Sequence, residues 1–112
     1  MAPTQDGLLR IFISEADRHQ GHPLYEAIVL AAREQGLAGA TVLRGVLGYG
    51  AHSHLHTSKV LALSEDLPLV VEIVDHEERL QTFLPWLEAA VGEGLVTLEP
   101  LQILHGRRLP LR

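Results

Sequence analysis

Strand-like and helix-like patterns of apolar residues alternate along this chain. Residues 8–14 are apolar with β-branched and aromatic members, which predicts a first strand. A polar connection follows over residues 15–22, and Pro23 suits the first turn of a helix. Gly36 then supplies a helix stop. The predicted buried stripe of this helix contains Leu24, Ile28, Ala31 and Gln35, widened by Tyr25, Val29 and Ala32.

The middle of the chain predicts three further strands. Residues 40–46 form the second strand, and glycines mark its end. Residues 49–58 are polar, rich in histidine and without a helical period, which predicts a loop or a mobile hairpin. Residues 59–64 form a third strand, and residues 69–74 form a fourth. The fourth strand is nearly all apolar, so we expect it to be central in the sheet.

A second helix is predicted after Asp75, which forms a start resembling a capping box with Glu78. Pro85 interrupts the helical period, and we expect a kink or a restart there because proline removes a hydrogen-bond donor. Gly92 and Gly94 end the helix. Its predicted core positions are Leu80, Phe83, Leu84, Leu87 and Val91.

The last apolar block completes the fold prediction. Residues 95–98 predict a core strand, and Pro100 allows only an edge continuation beyond it. Apart from the strand over residues 59–64, the order strand–helix–strand–strand–helix–strand predicts an α+β, ferredoxin-like βαββαβ sandwich, in which two helices cover one face of an antiparallel sheet. We predict a single domain over residues 1–112, with a basic tail at about residues 104–112. Because this fold hosts many functions, function must be argued from the site.

Composition excludes several classes of function. The 112 residues include no cysteine, which rules out disulfides, thiolate metal sites and a cysteine nucleophile. The net charge of −5 disfavours bulk attraction to nucleic acid. No apolar run is long enough to span a bilayer and no secretory signal is visible, so we expect a cytoplasmic location.

Six segments carry a resemblance to a known family. They are GLAGATVLRGVLGYG at residues 36–50, HTSK at 56–59, SEDLP at 64–68, EIVD at 72–75, GHPLY at 21–25 and EGLVT at 93–97. Together they resemble a PII-like family, the one numbered one hundred and ninety among the domains of unknown function. The likeness covers roughly residues 8–103, and the glycine-rich block is its most specific part.

The resemblance implies a homotrimer of ferredoxin-like subunits with ligand sites in the clefts between subunits. It also implies a long mobile loop between the second and third strands. The PII signalling proteins, which this family is similar to, commonly bind adenine nucleotides in those clefts. Some relatives are fused to, or encoded near, fluoride exporters, which suggests a membrane transporter as a protein partner.

The glycine-rich block contains the first candidate site. Backbone N–H groups around Gly45, Gly48 and Gly50 can cradle an anion, and Arg44 can add a planar charged fork. The alternative is that these glycines only shape the exit of a strand. If a phosphorylated ligand binds here, we expect His56 and Lys59, at the base of the loop, to lie close to it.

Two further segments are candidates for phosphate binding. Gly92 and Gly94 occupy the place of the phosphate loop in PII proteins, although the residues by themselves favour a helix C-cap, which explains them fully. Arg107 and Arg108 in the tail could bind phosphates bidentately, and the alternative is a solvated terminus.

Histidines raise a separate hypothesis of metal binding. His52, His54 and His56 alternate, so in an extended chain they would lie on one side, at a spacing that suits Zn, Ni or Cu. No acidic residue or cysteine joins them nearby. The remaining four histidines are predicted to be surface residues: His19, His22, His76 and His105.

We predict a regulatory protein rather than an enzyme. The faint likeness of residues 43–46 to an acylphosphatase anion loop lacks the asparagine that such an enzyme needs, since the chain has none. The leading hypothesis is a PII-like trimer that binds a small anion, an adenine nucleotide above all, and switches a mobile loop. The alternatives are a metal-binding or metal-tolerance trimer, and a structural trimer without a ligand.

Overall fold

A computed structural model describes residues 5–50 and 66–106, together with the backbone of residues 56–57. The elements in chain order are β1 (Asp6–Ser14), β2 (Arg18–His19), β3 (His22–Pro23), α1 (Leu24–Glu34), β4 (Thr41–Arg44), β5 (Leu47–Gly48), β6 (His56–Thr57), β7 (Pro68–His76), α2 (Glu77–Val91) and β8 (Leu95–Leu101). Among the described residues, no helix is long and apolar enough to cross a membrane.

Four strands form one antiparallel sheet in the order β4–β7–β1–β8. With α1 after β1 and α2 after β7, this is the predicted ferredoxin-like arrangement. The predicted central strand is confirmed, because β7 lies between β4 and β1. The prediction that the last strand lies in the core of the sheet is wrong. All of β8, including Pro100, lies at an edge of the sheet, where one side of the backbone needs no sheet partner.

The core fills the space between one face of the sheet and the two helices. Leu9, Ile11 and Ile13 alternate along β1, and only their side of the strand is buried. The buried stripe of α1 includes Ala32. Gln35 is the C-cap residue and is exposed, so its prediction as a buried residue of the stripe is wrong. The core residues of α2 are Leu80, Phe83, Leu87 and Val91.

The second helix starts differently from its prediction. It begins at Glu77, and its N-cap residue His76 makes no side-chain capping bond. Asp75 is the penultimate residue of β7 and is fully buried, so the predicted capping box is wrong. The helix runs through Pro85 without a restart. Pro85 is exposed, which lets water reach the backbone around it.

The opposite face of the sheet carries no helix in the described part of the chain. A row of apolar side chains crosses all four strands there, in the order Leu43, Val70, Phe12 and Leu95. Three of these side chains are between 38% and 58% exposed. Next to this row, Arg10 donates to Glu72 at 3.0 Å and to Glu99 at 2.7 Å. The hydrogen bond to Glu72, assisted by Glu99, raises the pKa of Arg10 above its ordinary value.

Candidate ligand-binding site

Most of the described candidate residues lie at one end of the sheet, which we name the loop end. It is the end at which β1 and β4 stop and β7 and β8 start. Arg44 is the last residue of β4, and the Gly92–Gly94 turn leads into β8. The short strands β5 and β6 start and close the loop that leaves from this end, and their pairing sets the backbone of His56 opposite Gly48.

Gly45 and Gly48 both pack against Pro68 at the start of β7. A Cβ atom at Gly45 would lie 2.9 Å from Pro68 Cγ, and one at Gly48 would lie 3.3 Å from the same atom. The Gly45 N–H also donates to the Pro68 carbonyl at 2.7 Å. These two glycines therefore shape the strand exit through close packing, as one of the two alternatives predicts. Gly50 has open space around its Cα, and anion binding by all three remains a prediction.

Arg44 is held by an ion pair that the sequence did not indicate. Its Nη2 contacts Glu15 Oε2. The arginine side chain is 60% exposed, whereas that of Glu15 is only 15% exposed. Glu15 is itself fixed at the end of β1, because its N–H donates to the Leu67 carbonyl at 2.8 Å. The guanidinium is thus oriented by a mostly buried carboxylate, while much of the surface of the arginine stays accessible.

A polar cavity of about 370 Å³ opens beside this ion pair. It is lined by Glu15, Ala16, Arg18, Pro23, Tyr25 and Asp66. Asp66 accepts a hydrogen bond from the Ser14 hydroxyl, which ties the chain that precedes β7 to the end of β1. Sequence patterns did not assign these residues to a site, because they come from separate short segments, none of which has a motif of its own.

Gly92 and Gly94 have structural roles at the other edge of the loop end. Gly92 is the C-cap residue of α2 and has a φ of +65°. A Cβ atom at Gly94 would lie 2.5 Å from Val91 Cγ1 and 2.9 Å from the Phe12 carbonyl oxygen. The sheet order separates this turn from Arg44 by three strand spacings, or about 14 Å. The two candidate segments of one subunit therefore do not converge on a single phosphate group.

Several predicted site residues fall outside the described residues. These are Lys59, Arg107, Arg108, His52 and His54, together with the predicted third strand over residues 59–64, while only the backbone of His56 is described. Among the described residues, no three histidine or acidic side chains are grouped to hold a metal ion. His76 was wrongly predicted as a surface residue: its side chain is 15% exposed, and its Nδ1 lies 2.9 Å from Asp6 Oδ1.

One family model and several related sequences match most of this chain. The family model DUF190, described as Uncharacterized ACR, matches residues 7–103. A UPF0166 protein of Aquifex aeolicus is 41% identical over 88% of this chain and 92% of its own length. A UPF0166 protein of Methanocaldococcus jannaschii is 32% identical, also over 88% of this chain and 92% of its own length.

Solved structures show the same fold in a PII-like protein. CPII of Thiomonas intermedia K12, a nitrogen regulatory PII-like protein bound to ADP, AMP and bicarbonate, superposes with a TM-score of 0.62 at 21% identity. That match covers 92% of this chain and 90% of CPII. A second structure of CPII, bound to ADP and bicarbonate, gives a TM-score of 0.59 at 22% identity over the same shares of the two chains.

Proposed function

This chain belongs to the DUF190 family and has a PII-like fold, and from that premise we propose that it is a regulatory protein that binds an adenine nucleotide at the loop end. The observation that carries the proposal is the oriented, accessible guanidinium of Arg44 beside the glycine turn at Gly45 and Gly48. An accessible arginine fork suits a phosphate, because its planar set of donors can bind two phosphate oxygens at once. CPII, which shares the fold, was solved with ADP and AMP bound.

The separation within one subunit favours a site shared between subunits. Arg44 and Gly94 lie near opposite edges of the sheet, about 14 Å apart by strand spacing. A trimer would bring the β4 edge of one subunit close to the β8 edge of the next. The glycine turn of one subunit and the Gly92–Gly94 turn of its neighbour would then contact different parts of one nucleotide.

The open face of the sheet supports trimer formation. The row of Leu43, Val70, Phe12 and Leu95 is apolar and half-exposed in the single chain. Such a contiguous apolar strip is typical of an interaction surface. Three copies packed around an axis would cover it, and the Arg10–Glu72–Glu99 ion pairs beside it would lie close to that interface.

Regulation would act through the loop that β5 and β6 start and close. We expect nucleotide binding to order residues 49–58 and thereby change contacts with a protein partner, as in other order–disorder switches. Binding and switching, rather than catalysis, would be the function, in the cytoplasm, and a membrane transporter is the partner that the family resemblance suggests. The loop would contact the partner. The tail arginines Arg107 and Arg108, which lie outside the described residues, would add contacts to the nucleotide.

Calorimetry tests the ligand. The native protein should bind at least one of ATP, ADP and AMP, and Arg44→Ala should weaken binding about ten- to a hundred-fold, since a charge-assisted hydrogen bond is lost. Arg33→Ala is the matched control, because Arg33 is an exposed arginine at the far end of α1 and should leave affinity unchanged. Absence of binding by all three nucleotides would refute the proposal, and equal affinity in Arg44→Ala would remove Arg44 from the site.

Sedimentation equilibrium tests the assembly. We expect a trimer at micromolar concentration, and Phe12→Glu should dissociate it because a charge would enter the apolar row. Leu30→Glu is the control, since Leu30 is 58% exposed on α1, away from the open face. A native monomer, or a trimer that survives Phe12→Glu, would contradict assembly through this face.

A further inference from the structure

Two histidines face each other on the short hairpin formed by β2 and β3. His19 and His22 are directly paired in the register of the two strands. Paired residues project their side chains from the same face of a hairpin, with Cβ atoms about 4.5–5.5 Å apart. The function proposed above uses neither histidine, and sequence inspection assigned both to the surface.

The hairpin backbone fixes this arrangement. Gln20 and Gly21 form the two-residue turn, with φ angles of 51° and 84°. Positive φ at both central residues is the requirement of a type I′ turn, whose twist matches that of the flanking strands. The hairpin is closed at its base, where the Leu24 N–H donates to the Asp17 carbonyl at 2.8 Å. The two imidazoles therefore start from a defined backbone geometry.

Aromatic packing fixes the ring of His19. Its centroid lies 5.3 Å from that of Trp86 on α2, with an angle of 56° between the ring planes. Trp86 stacks on Phe83, which is fully buried, at 5.5 Å and 7°. His19 is half-buried against this aromatic pair, while His22 is exposed. One imidazole is thus anchored to the core, and the other is free to rotate towards a shared ligand.

Both imidazoles keep their nitrogens available. Within residues 5–50 and 66–106, neither the His19 nor the His22 imidazole takes part in a hydrogen bond or an ion pair. Imidazole nitrogens are common ligands of the late first-row transition metals, and cross-strand spacing lets two of them reach one ion. We propose that His19 and His22 bind a divalent copper ion, with nickel and zinc as weaker occupants.

Water would complete the coordination of this ion. No third histidine or acidic side chain joins the pair among the described residues. The order of affinity should follow the general series for divalent ions, with Cu²⁺ above Ni²⁺ and Zn²⁺. The proposal does not depend on the nucleotide site, which lies at other residues.

Trp86 gives a direct measurement, because it is the only tryptophan of the chain and lies against His19. The untagged, chelator-treated full chain is titrated with Cu²⁺ at neutral pH while tryptophan fluorescence is followed. We expect saturable quenching at one ion per chain. His22→Ala should weaken the binding about tenfold or more, since one of two protein ligands is lost while the His19–Trp86 contact stays.

A triple variant is the matched control. His52→Ala, His54→Ala and His56→Ala together remove the histidine-rich segment and leave the hairpin unchanged, so quenching should keep its native affinity. Circular dichroism confirms that each variant is folded. The proposal is overturned if the native chain shows no saturable quenching, if folded His22→Ala keeps native affinity, or if the triple variant abolishes the quenching.

Discussion

The two ends of the four-stranded sheet use polar residues in opposite ways. At the end near Asp75, this carboxylate is fully buried and accepts hydrogen bonds from the N–H groups of Ala38 at 2.9 Å and His76 at 2.6 Å. Arg79 lies above it, with Nε 3.2 Å from Asp75 Oδ1 but without hydrogen-bond geometry, and donates to the Gly36 carbonyl. At the loop end, Arg44 is 60% exposed beside its partner Glu15.

This difference separates a structural end from the end at which we propose that a ligand binds. The groups around Asp75 bond mainly to one another, with Arg79 Nε the exception, and they connect the start of α2 to the segment between α1 and β4. Such a closed network stabilises the fold and leaves little for a ligand to bind. The loop end combines an accessible cation with tightly packed glycines and a polar cavity, and these features suit the ligand binding that we propose for it.

The largest loss of stability should come from a change at the end of the sheet near Asp75. Asp75→Ala leaves Arg79 without its carboxylate partner and the Ala38 N–H without an acceptor. We expect a loss of about 3 kcal/mol in the free energy of unfolding, the lower part of the range for broken buried pairs, because Arg79 is a quarter exposed. Urea unfolding measures it, with Glu88→Ala, an exposed residue of α2, as the control. A loss equal to that of the control would show that this network is not structural.

A medium effect should come from the Gly92–Gly94 turn. Gly94→Ala would force a methyl group against Val91 Cγ1 and the Phe12 carbonyl oxygen. We expect a loss of about 1–3 kcal/mol, the usual cost of overpacking. Gly39→Ala is the matched control, since open space surrounds Gly39. If the two variants unfold at the same urea concentration, Gly94 is not required by packing, and a direct role in ligand binding becomes the better explanation.

The smallest effect on stability should come from the loop end. Arg44→Ala removes an ion pair whose arginine is mostly exposed, and such pairs contribute about 0–1 kcal/mol. Stability should therefore stay nearly native while nucleotide affinity falls. Glu15→Gln is the companion variant, which should keep the fold and also lower affinity, because Arg44 loses its orientation. A large loss of stability in Arg44→Ala would show that the loop end is structural too, and the two ends of the sheet would then not differ in this way.

Sequence patterns were sufficient for the fold, whereas the location of the site stays a prediction. Periodicity identified both helices and most strands of the described sheet, because half-buried elements repeat at 3.6 or 2 residues wherever they contact a core. The glycine block at residues 36–50 located the loop end, and Gly92 was correctly expected at the end of α2. The edge position of β8 was missed, since strand order depends on contacts between segments far apart in the chain.

Local pattern could not assign partners to polar side chains. Asp75 looked like a helix cap because it stands just before an apolar helical repeat, yet it belongs to a face of β7 that points into the core. Glu15 gave no signal, although it orients Arg44 from a position 29 residues away. His19 and His22 looked like unrelated surface residues until the turn paired them and α2 brought Trp86 against one of them. Periodicity arises from burial, which every element experiences by itself, whereas these pairings arise when the folded chain brings distant segments into contact.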